Sequence, residues 1–210
     1  MNTDHFDSVV AYMLDHWDLI SEDESAYKPA YVDSIAEVVR RADAGEVGWD
    51  AVVEARLDVT QHLLGWRVVG PLLDLIRSWP EAFAVGVRTM LTKQNADDLW
   101  NAVTEAAGGP SRLESFTALR GVGVRASVAS YFLFVHDPFK WPIFRKRNFG
   151  TPLVKITGDP LDESTPAGLL WGYYRALDDL LGRMRHSGLP ATSRLDAQGV
   201  LWVANYKGLV

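Results

Sequence analysis

The chain has 210 residues, of which 48% are hydrophobic and 23% charged, with a formal net charge of −6 and no cysteine. This composition is typical of a globular protein, and it excludes disulfides, thiolate metal sites and a cysteine nucleophile. Because the chain is acidic overall, its surface cannot be basic all over, so any contact with nucleic acid must be local.

No long apolar run occurs, and the first residues, MNTDHFDSVV, are acidic where a secretory signal would be basic and then apolar. We therefore expect a cytoplasmic protein without membrane contact. The five histidines are scattered, and no phosphate-binding loop or dinucleotide fingerprint is present. Neither a metal nor a cofactor is expected.

Apolar residues recur at spacings of three and four through most of the first 136 residues, which predicts an all-α fold. The predicted helices cover residues 5–20, 30–43, 49–63, 67–78, 80–92, 96–107, 112–119, 124–136, 166–186 and 196–204. Residues that favour helix starts stand at several of these boundaries, namely Pro29 or Asp33, Pro80, Asn95 and Thr165. Residues 108–110, Gly-Gly-Pro, form a stop signal.

Residues 138–165 differ from the rest because prolines recur along them and prevent one continuous helix. We expect an irregular loop with a short helical turn at 143–149 or a strand at 152–156. Between Pro138 and Gly158 the chain has no acidic residue and five basic ones, Lys140, Arg145, Lys146, Arg147 and Lys155. The expected organisation is an N-terminal helical region (1–79), a core with the basic loop (80–165) and C-terminal helices packing on the same body (166–210).

The stretch LRGVGVRAS, residues 119–127, contains two glycines separated by one apolar residue, between two predicted helices. Glycine permits positive φ and close backbone approach, so the first N–H groups of the second helix can point outward and bind an anion. The helix dipole adds about half a positive charge there. Arg125 and Ser127 can supply further donors. The alternative is a tight connection between two helices, in which the glycines are needed only because a side chain would not fit.

This stretch resembles the helix-hairpin-helix motif, with Gly121-Val122-Gly123 as its hairpin and Leu113, Phe116 and Leu119 on its first helix. Together with TMLTKQNADDLWNAV at 89–103, it resembles the helix-hairpin-helix DNA glycosylase superfamily, whose core is endonuclease-III-like. The resemblance covers roughly residues 80–150. It implies an all-α DNA-binding scaffold.

The resemblance does not extend to the family's catalytic residues. Lyase-type members have a lysine two residues after the second hairpin glycine, where this chain has Arg125, whose guanidinium cannot form a Schiff base. The family's catalytic aspartate would fall near WPIFR, residues 141–145, which contains no carboxylate. Asp137 lies several residues early and Asp159 far too late, so either carboxylate would need a changed loop path; Asp137 is the candidate kept.

We therefore expect a DNA-binding protein that recognises modified or distorted DNA, in repair or defence, and is not an enzyme. The residues predicted to contact phosphate are Gly121, Gly123, Arg125, Ser127, Lys140, Arg145, Lys146 and Arg147. Trp141 and Phe144 are candidates to stack on an extruded base, or else they cover the core. The alternatives are an active monofunctional DNA glycosylase using Asp137, and a helical module whose Trp-rich surface binds a protein partner.

A weaker resemblance concerns RLDAQGVLWVANY at 194–206, which looks like segments that close accessory modules in modification-dependent restriction proteins. The alternative is an amphipathic helix or strand that packs Leu195, Val200, Leu201 and Trp202 into the core.

Overall fold

A computed structural model describes residues 3–20, 25–55 and 63–210 of the chain. Within these ranges the regular structure is helical and no strand occurs, which confirms the all-α prediction for them. The helices are α1 (Thr3–Asp15), α2 (Ser25–Asp43), α3 (Trp49–Ala55), α4 (Trp66–Ser78), α5 (Pro80–Lys93), α6 (Ala96–Ala106), α7 (Pro110–Leu113), α8 (Val122–Phe134), α9 (Thr151–Thr157), α10 (Pro166–His186) and α11 (Arg194–Tyr206). A 3₁₀ turn, Thr117–Leu119, precedes α8, and a π-helical turn, Lys146–Gly150, leads into α9.

The core is centred on α8, whose residues from Val128 to Phe134 are all buried. A helix that is apolar around its whole circumference needs neighbours on every side. α5, α6 and α10 pack directly against α8, while α1 packs on α9 and α11, and α2 packs on α11. Buried residues from the three predicted parts of the chain, 1–79, 80–165 and 166–210, thus form one contiguous core. No helix in the described ranges is both long and apolar enough to cross a membrane.

Several helix boundaries agree with the sequence signals. Asn95 Oδ1 accepts a hydrogen bond from the Asp97 N–H at 3.0 Å, and Thr165 Oγ1 accepts one from the Gly168 N–H at 3.0 Å. Pro80 is the first residue of α5. Gly108 and Gly109, with φ of 76° and 123°, stop the chain after α6 in backbone conformations that favour glycine.

One predicted helix start and one predicted helix end are wrong in the N-terminal part. α2 begins at Ser25 and carries Pro29 inside it, close enough to its start that only one helical hydrogen bond is lost. α1 ends at Asp15 rather than at residue 20. The helix predicted over 49–63 is observed as α3 up to Ala55, and its remainder, apart from Leu63, lies outside the described residues.

The helix predicted over 112–119 is divided into α7 and the 3₁₀ turn. The hydroxyl of Ser115 donates to the Arg112 carbonyl at 2.7 Å, a local bond that competes with helix continuation. The strand considered for 152–156 is instead the helix α9, which starts at Thr151 with Pro152 in its first turn. The C-terminal segment forms α11, with Leu195, Val200 and Leu201 buried and Trp202 half-buried.

A test of the packing concerns Gly86, where α5 crosses α6. A Cβ at this position would lie 3.0 Å from both the Cα and the carbonyl oxygen of Leu99. We expect Gly86→Ala to lower the free energy of unfolding by about 1–3 kcal/mol, although alanine favours a helix, because two backbones must separate. Urea unfolding measures this effect.

The matched control is Gly182→Ala on α10, where a Cβ would meet nothing within 4 Å. There the helix propensity acts alone and should stabilise the protein by up to about 1 kcal/mol. Equal shifts in the two variants would contradict the close crossing of α5 and α6.

Candidate nucleic-acid interface

A cleft of about 530 Å³ opens where the starts of α4 and α8 meet the π-helical turn. Three described segments contribute to its lining: Leu63, Leu64, Gly65 and Val68 around the start of α4, then Gly121, Gly123, Val124 and Ser127 at the start of α8, and residues 145–148. We call this space the hairpin cleft. It brings the two glycines together with part of the basic segment.

Two helices begin at the hairpin cleft. Gly65 is the N-cap of α4 and Gly121 that of α8, and no side-chain hydrogen bond caps either helix. The N–H groups of Val124 and Arg125 both donate to the Gly121 carbonyl at 3.1 Å, so the first paired N–H groups of α8 come after Gly123. Unpaired N–H groups and the helix dipole make such ends favourable for an anion.

The hairpin glycines leave open space beside the backbone. Gly121 has φ 16° and ψ 136°, and Gly123 lies within α8, so neither adopts the left-handed conformation that the sequence allowed. Among the described residues, a Cβ on Gly121 would meet no atom within 4 Å, and one on Gly123 would lie 3.9 Å from Lys146 Cδ. Tight packing inside the protein therefore does not account for these glycines. Their backbone faces the cleft without a side chain in between.

The cleft collects three of the five basic residues of the loop, Arg145, Lys146 and Arg147. Lys146 Nζ lies 2.6 Å from Glu163 Oε2, with both side chains about half exposed (56% and 51%). Such an exposed pair contributes little stability, so Glu163 is a weak competitor for Lys146. Arg147 is exposed and has no ion pair within the described ranges. The wall formed by residues 145–148 is therefore positively charged.

Two serines of α8 hold this wall in place. Ser127 Oγ donates to the Phe144 carbonyl at 2.8 Å, and Ser130 Oγ accepts from the Phe144 N–H at 2.9 Å and donates to the Ser127 carbonyl at 2.9 Å. Ser127 was predicted to donate a hydrogen bond to phosphate, but its hydroxyl proton is already donated to the Phe144 carbonyl. The Phe144 ring is fully buried and meets Tyr173 edge-on at 5.0 Å, so it is out of reach of an external base.

Arg125 is turned away from the hairpin cleft. Its Nε donates to the Leu119 carbonyl at 3.1 Å, and its guanidinium lies 5.5 Å from the Trp100 ring. It lines a second cleft of about 450 Å³ on the other side of Gly121, together with Arg120. In this structure Arg125 stabilises the turn before α8.

Lys140 and Trp141 also lie outside the described lining of the hairpin cleft. Lys140 Nζ is 4.8 Å from the Trp141 ring, and that ring packs on Tyr174 at 5.1 Å with the guanidinium of Arg194 at 5.4 Å. These residues therefore form a separate cluster against α10 and α11.

The Asp137 carboxylate caps a turn. Its Oδ1 accepts from the N–H groups of Phe139 and Lys140 at 3.2 and 3.0 Å, and it is not part of the described cleft lining. The preceding His136 faces Asp43 of α2, with Nε2 and Oδ2 3.6 Å apart. Burial lowers the pKa of His136, and the nearby Asp43 carboxylate opposes that shift. His136 and Asp137 thus face different partners.

The sequence does not predict the wall formed by Leu63, Leu64, Gly65 and Val68. Its pattern assigns Leu63 to the end of one helix and begins the next at Arg67, so Gly65 and Trp66 are placed in neither. In the structure Gly65 occupies the N-cap position of α4, and Trp66 and Arg67 are exposed. The available signal was an aromatic residue and a basic one directly after a glycine at a helix start.

Comparisons with protein-family models, with curated proteins and with solved structures find no match to this chain. Nor do three histidine or carboxylate side chains gather as a metal site would require in the described ranges. The interpretation of the hairpin cleft therefore depends on its own geometry and charge.

The serine contacts can be tested through stability. Ser130→Ala removes the acceptor of the buried Phe144 N–H. We expect the free energy of unfolding to fall by about 1–3 kcal/mol, the cost of leaving a buried donor unpaired. The control is Ser115→Ala, an exposed serine, which should change stability by less than about 0.5 kcal/mol in the same urea titration. A Ser130 variant as stable as the parent would argue that the Phe144 N–H finds another partner.

Proposed function

We propose that the protein binds DNA through the hairpin cleft, with the segment from α7 to α8 acting as a helix-hairpin-helix motif that holds a phosphate. One observation carries the proposal: the uncapped glycine start of α8 and the cationic residues 145–147 face the same cleft. The stem of Lys146 lies beside Gly123, 3.9 Å from where its Cβ would be. A phosphate at the helix start would therefore be within reach of the ammonium group.

Two kinds of group that can donate hydrogen bonds to a phosphate meet in this cleft. Backbone N–H groups at a helix start bind oxygen directionally, whereas Arg and Lys side chains contribute charge that salt screens. Because the whole chain carries a formal charge of −6, DNA is repelled from most of the surface and attracted at this cleft. The same distribution fixes the orientation in which the protein meets DNA.

The proposal is for a binding protein that recognises modified or distorted DNA, in repair or defence, and not for a base-excision enzyme. Arg125, which takes the place of the lyase lysine in the resemblance, is engaged with Leu119 and Trp100. Asp137, the remaining carboxylate candidate, accepts two backbone hydrogen bonds in a turn. The cleft volume of about 530 Å³ lies within the usual range for sites that enclose a small organic group.

The binding site is tested with Gly123→Asp and with a triple change of Arg145, Lys146 and Arg147 to alanine. An aspartate in the first turn of α8 favours the helix, so the fold should persist while the anion site becomes repulsive. We expect both variants to bind short DNA at least about tenfold more weakly. In the triple variant the slope of log affinity against log salt should fall by about 1 for each lost phosphate contact. Fluorescence anisotropy at several salt concentrations measures both quantities.

The control is a second triple variant, Arg88, Arg175 and Lys207 to alanine, which removes the same charge from exposed residues outside the cleft. Its affinity should stay close to that of the parent. Product formation from modified-base DNA is scored on the same samples, and base release would overturn the non-catalytic assignment. Failure of the parent to bind any DNA at low salt would refute the proposed function.

A further inference from the structure

Trp66 is the most exposed of the large hydrophobic side chains in the described ranges, with 72% of its surface accessible. Single exposed hydrophobic residues are common on proteins, so exposure alone identifies nothing. The position of this indole is what distinguishes it. Trp66 is the first residue of α4, and both Gly65 before it and Val68 after it line the hairpin cleft. Trp66 and Arg67 are not themselves among the lining residues, so the indole lies beside the cleft.

The surroundings of Trp66 are cationic. The guanidinium of Arg67 lies 5.0 Å from the centre of the indole ring, and residues 145–147 form a wall of the same cleft. An apolar partner side chain that covered Trp66 would also have to desolvate these charges, which is costly. A ligand that combines a flat apolar ring with a nearby negative charge meets both requirements. A nucleotide has that combination.

We propose that Trp66 stacks on an unpaired base of a nucleic-acid strand whose phosphates lie in the hairpin cleft, with Arg67 contacting the adjacent phosphate. The proposal rests on the proposed DNA binding and adds which part of the DNA is recognised. Stacking on an aromatic face does not depend on base identity, so the preferred ligand is DNA with a base out of its pair. A fully paired duplex presents no free base face to the indole.

The experiment compares Trp66→Ala and Trp66→Phe with the control Trp171→Ala, a tryptophan of α10 that is 70% exposed and whose neighbours in the sequence do not line the hairpin cleft. Anisotropy is measured on single-stranded DNA, on a duplex with one bulged base and on the fully paired duplex. Trp66→Ala should weaken binding to the first two by about 5- to 100-fold, the range for loss of one base–aromatic stack. Its binding to the paired duplex should stay within about twofold of the parent.

Two further readouts separate stacking from a change in the fold. Trp66→Phe, which keeps an aromatic face, should retain most of the affinity lost in Trp66→Ala. The quenching of tryptophan fluorescence on binding single-stranded DNA should be smaller in Trp66→Phe than in Trp171→Ala, because the stacked indole has been removed. Thermal unfolding should be unchanged in all three variants, since both side chains are exposed.

The outcomes distinguish this inference from the proposed function. If the parent binds none of the three DNAs, the proposed function fails and the stacking inference fails with it. Suppose that the parent binds DNA and that the triple variant at residues 145–147 binds it more weakly. If Trp66→Ala then has the same affinity as Trp171→Ala for bulged and single-stranded DNA, only the stacking inference is overturned. An equal loss on the paired duplex would also overturn it.

Discussion

The hydrogen bonds that satisfy the backbone around Phe144 are the constraint on which the hairpin cleft depends. Residues 142–145 have no regular structure of their own, yet Ile143 and Phe144 are buried, so their polar groups need partners inside the protein. Ser127 and Ser130 of α8 bind both backbone groups of Phe144. The side chain of Gln198 on α11 donates to the Ile143 carbonyl at 2.6 Å. The basic turn is therefore fixed to two helices before any ligand arrives.

The network around Gln198 extends this constraint to the ends of the chain. Its amide also donates to the Tyr173 hydroxyl at 2.7 Å, and its oxygen accepts from Lys28 Nζ at 3.0 Å. Burial raises the pKa of Tyr173, which keeps the phenol neutral. The Lys28 ammonium group lies 5.3 Å from the ring of Phe149 in the π-helical turn. Helices α2, α10 and α11 thus hold the underside of the segment whose outer face carries residues 145–147. Because its backbone is already ordered, this segment loses little backbone entropy on binding a phosphate.

Signals within a few residues of one another predicted the local parts of this arrangement. The caps Asn95 and Thr165 and the stop at Gly108 and Gly109 depend on one turn of backbone, and they are where the sequence placed them. The glycines of the hairpin and the cluster at 145–147 could likewise be found from spacing and charge. Which residues share a cleft could not, because that depends on contacts between distant segments. Ser127 and Arg125 appeared suited to bind phosphate from their place in the motif, but Phe144 and Trp100 engage them.

Three features at or beside the hairpin cleft carry a cost in folding stability: Gly123 in the first turn of α8, the exposed Trp66 and the cations at residues 145–147. Glycine in the first turn of α8 costs about 0.5–1 kcal/mol relative to alanine, and no atom of the described residues lies within 4 Å of where a Cβ on Gly121 would be. Because the Trp66 indole is exposed, the protein lacks the stabilising free energy that burial of this side chain would contribute. Cations concentrated at residues 145–147 repel one another in an otherwise acidic chain. Sites that bind ligands depart from optimal stability in this way, and a single ligand class, an anion that also carries an aromatic ring, would compensate all three costs at once.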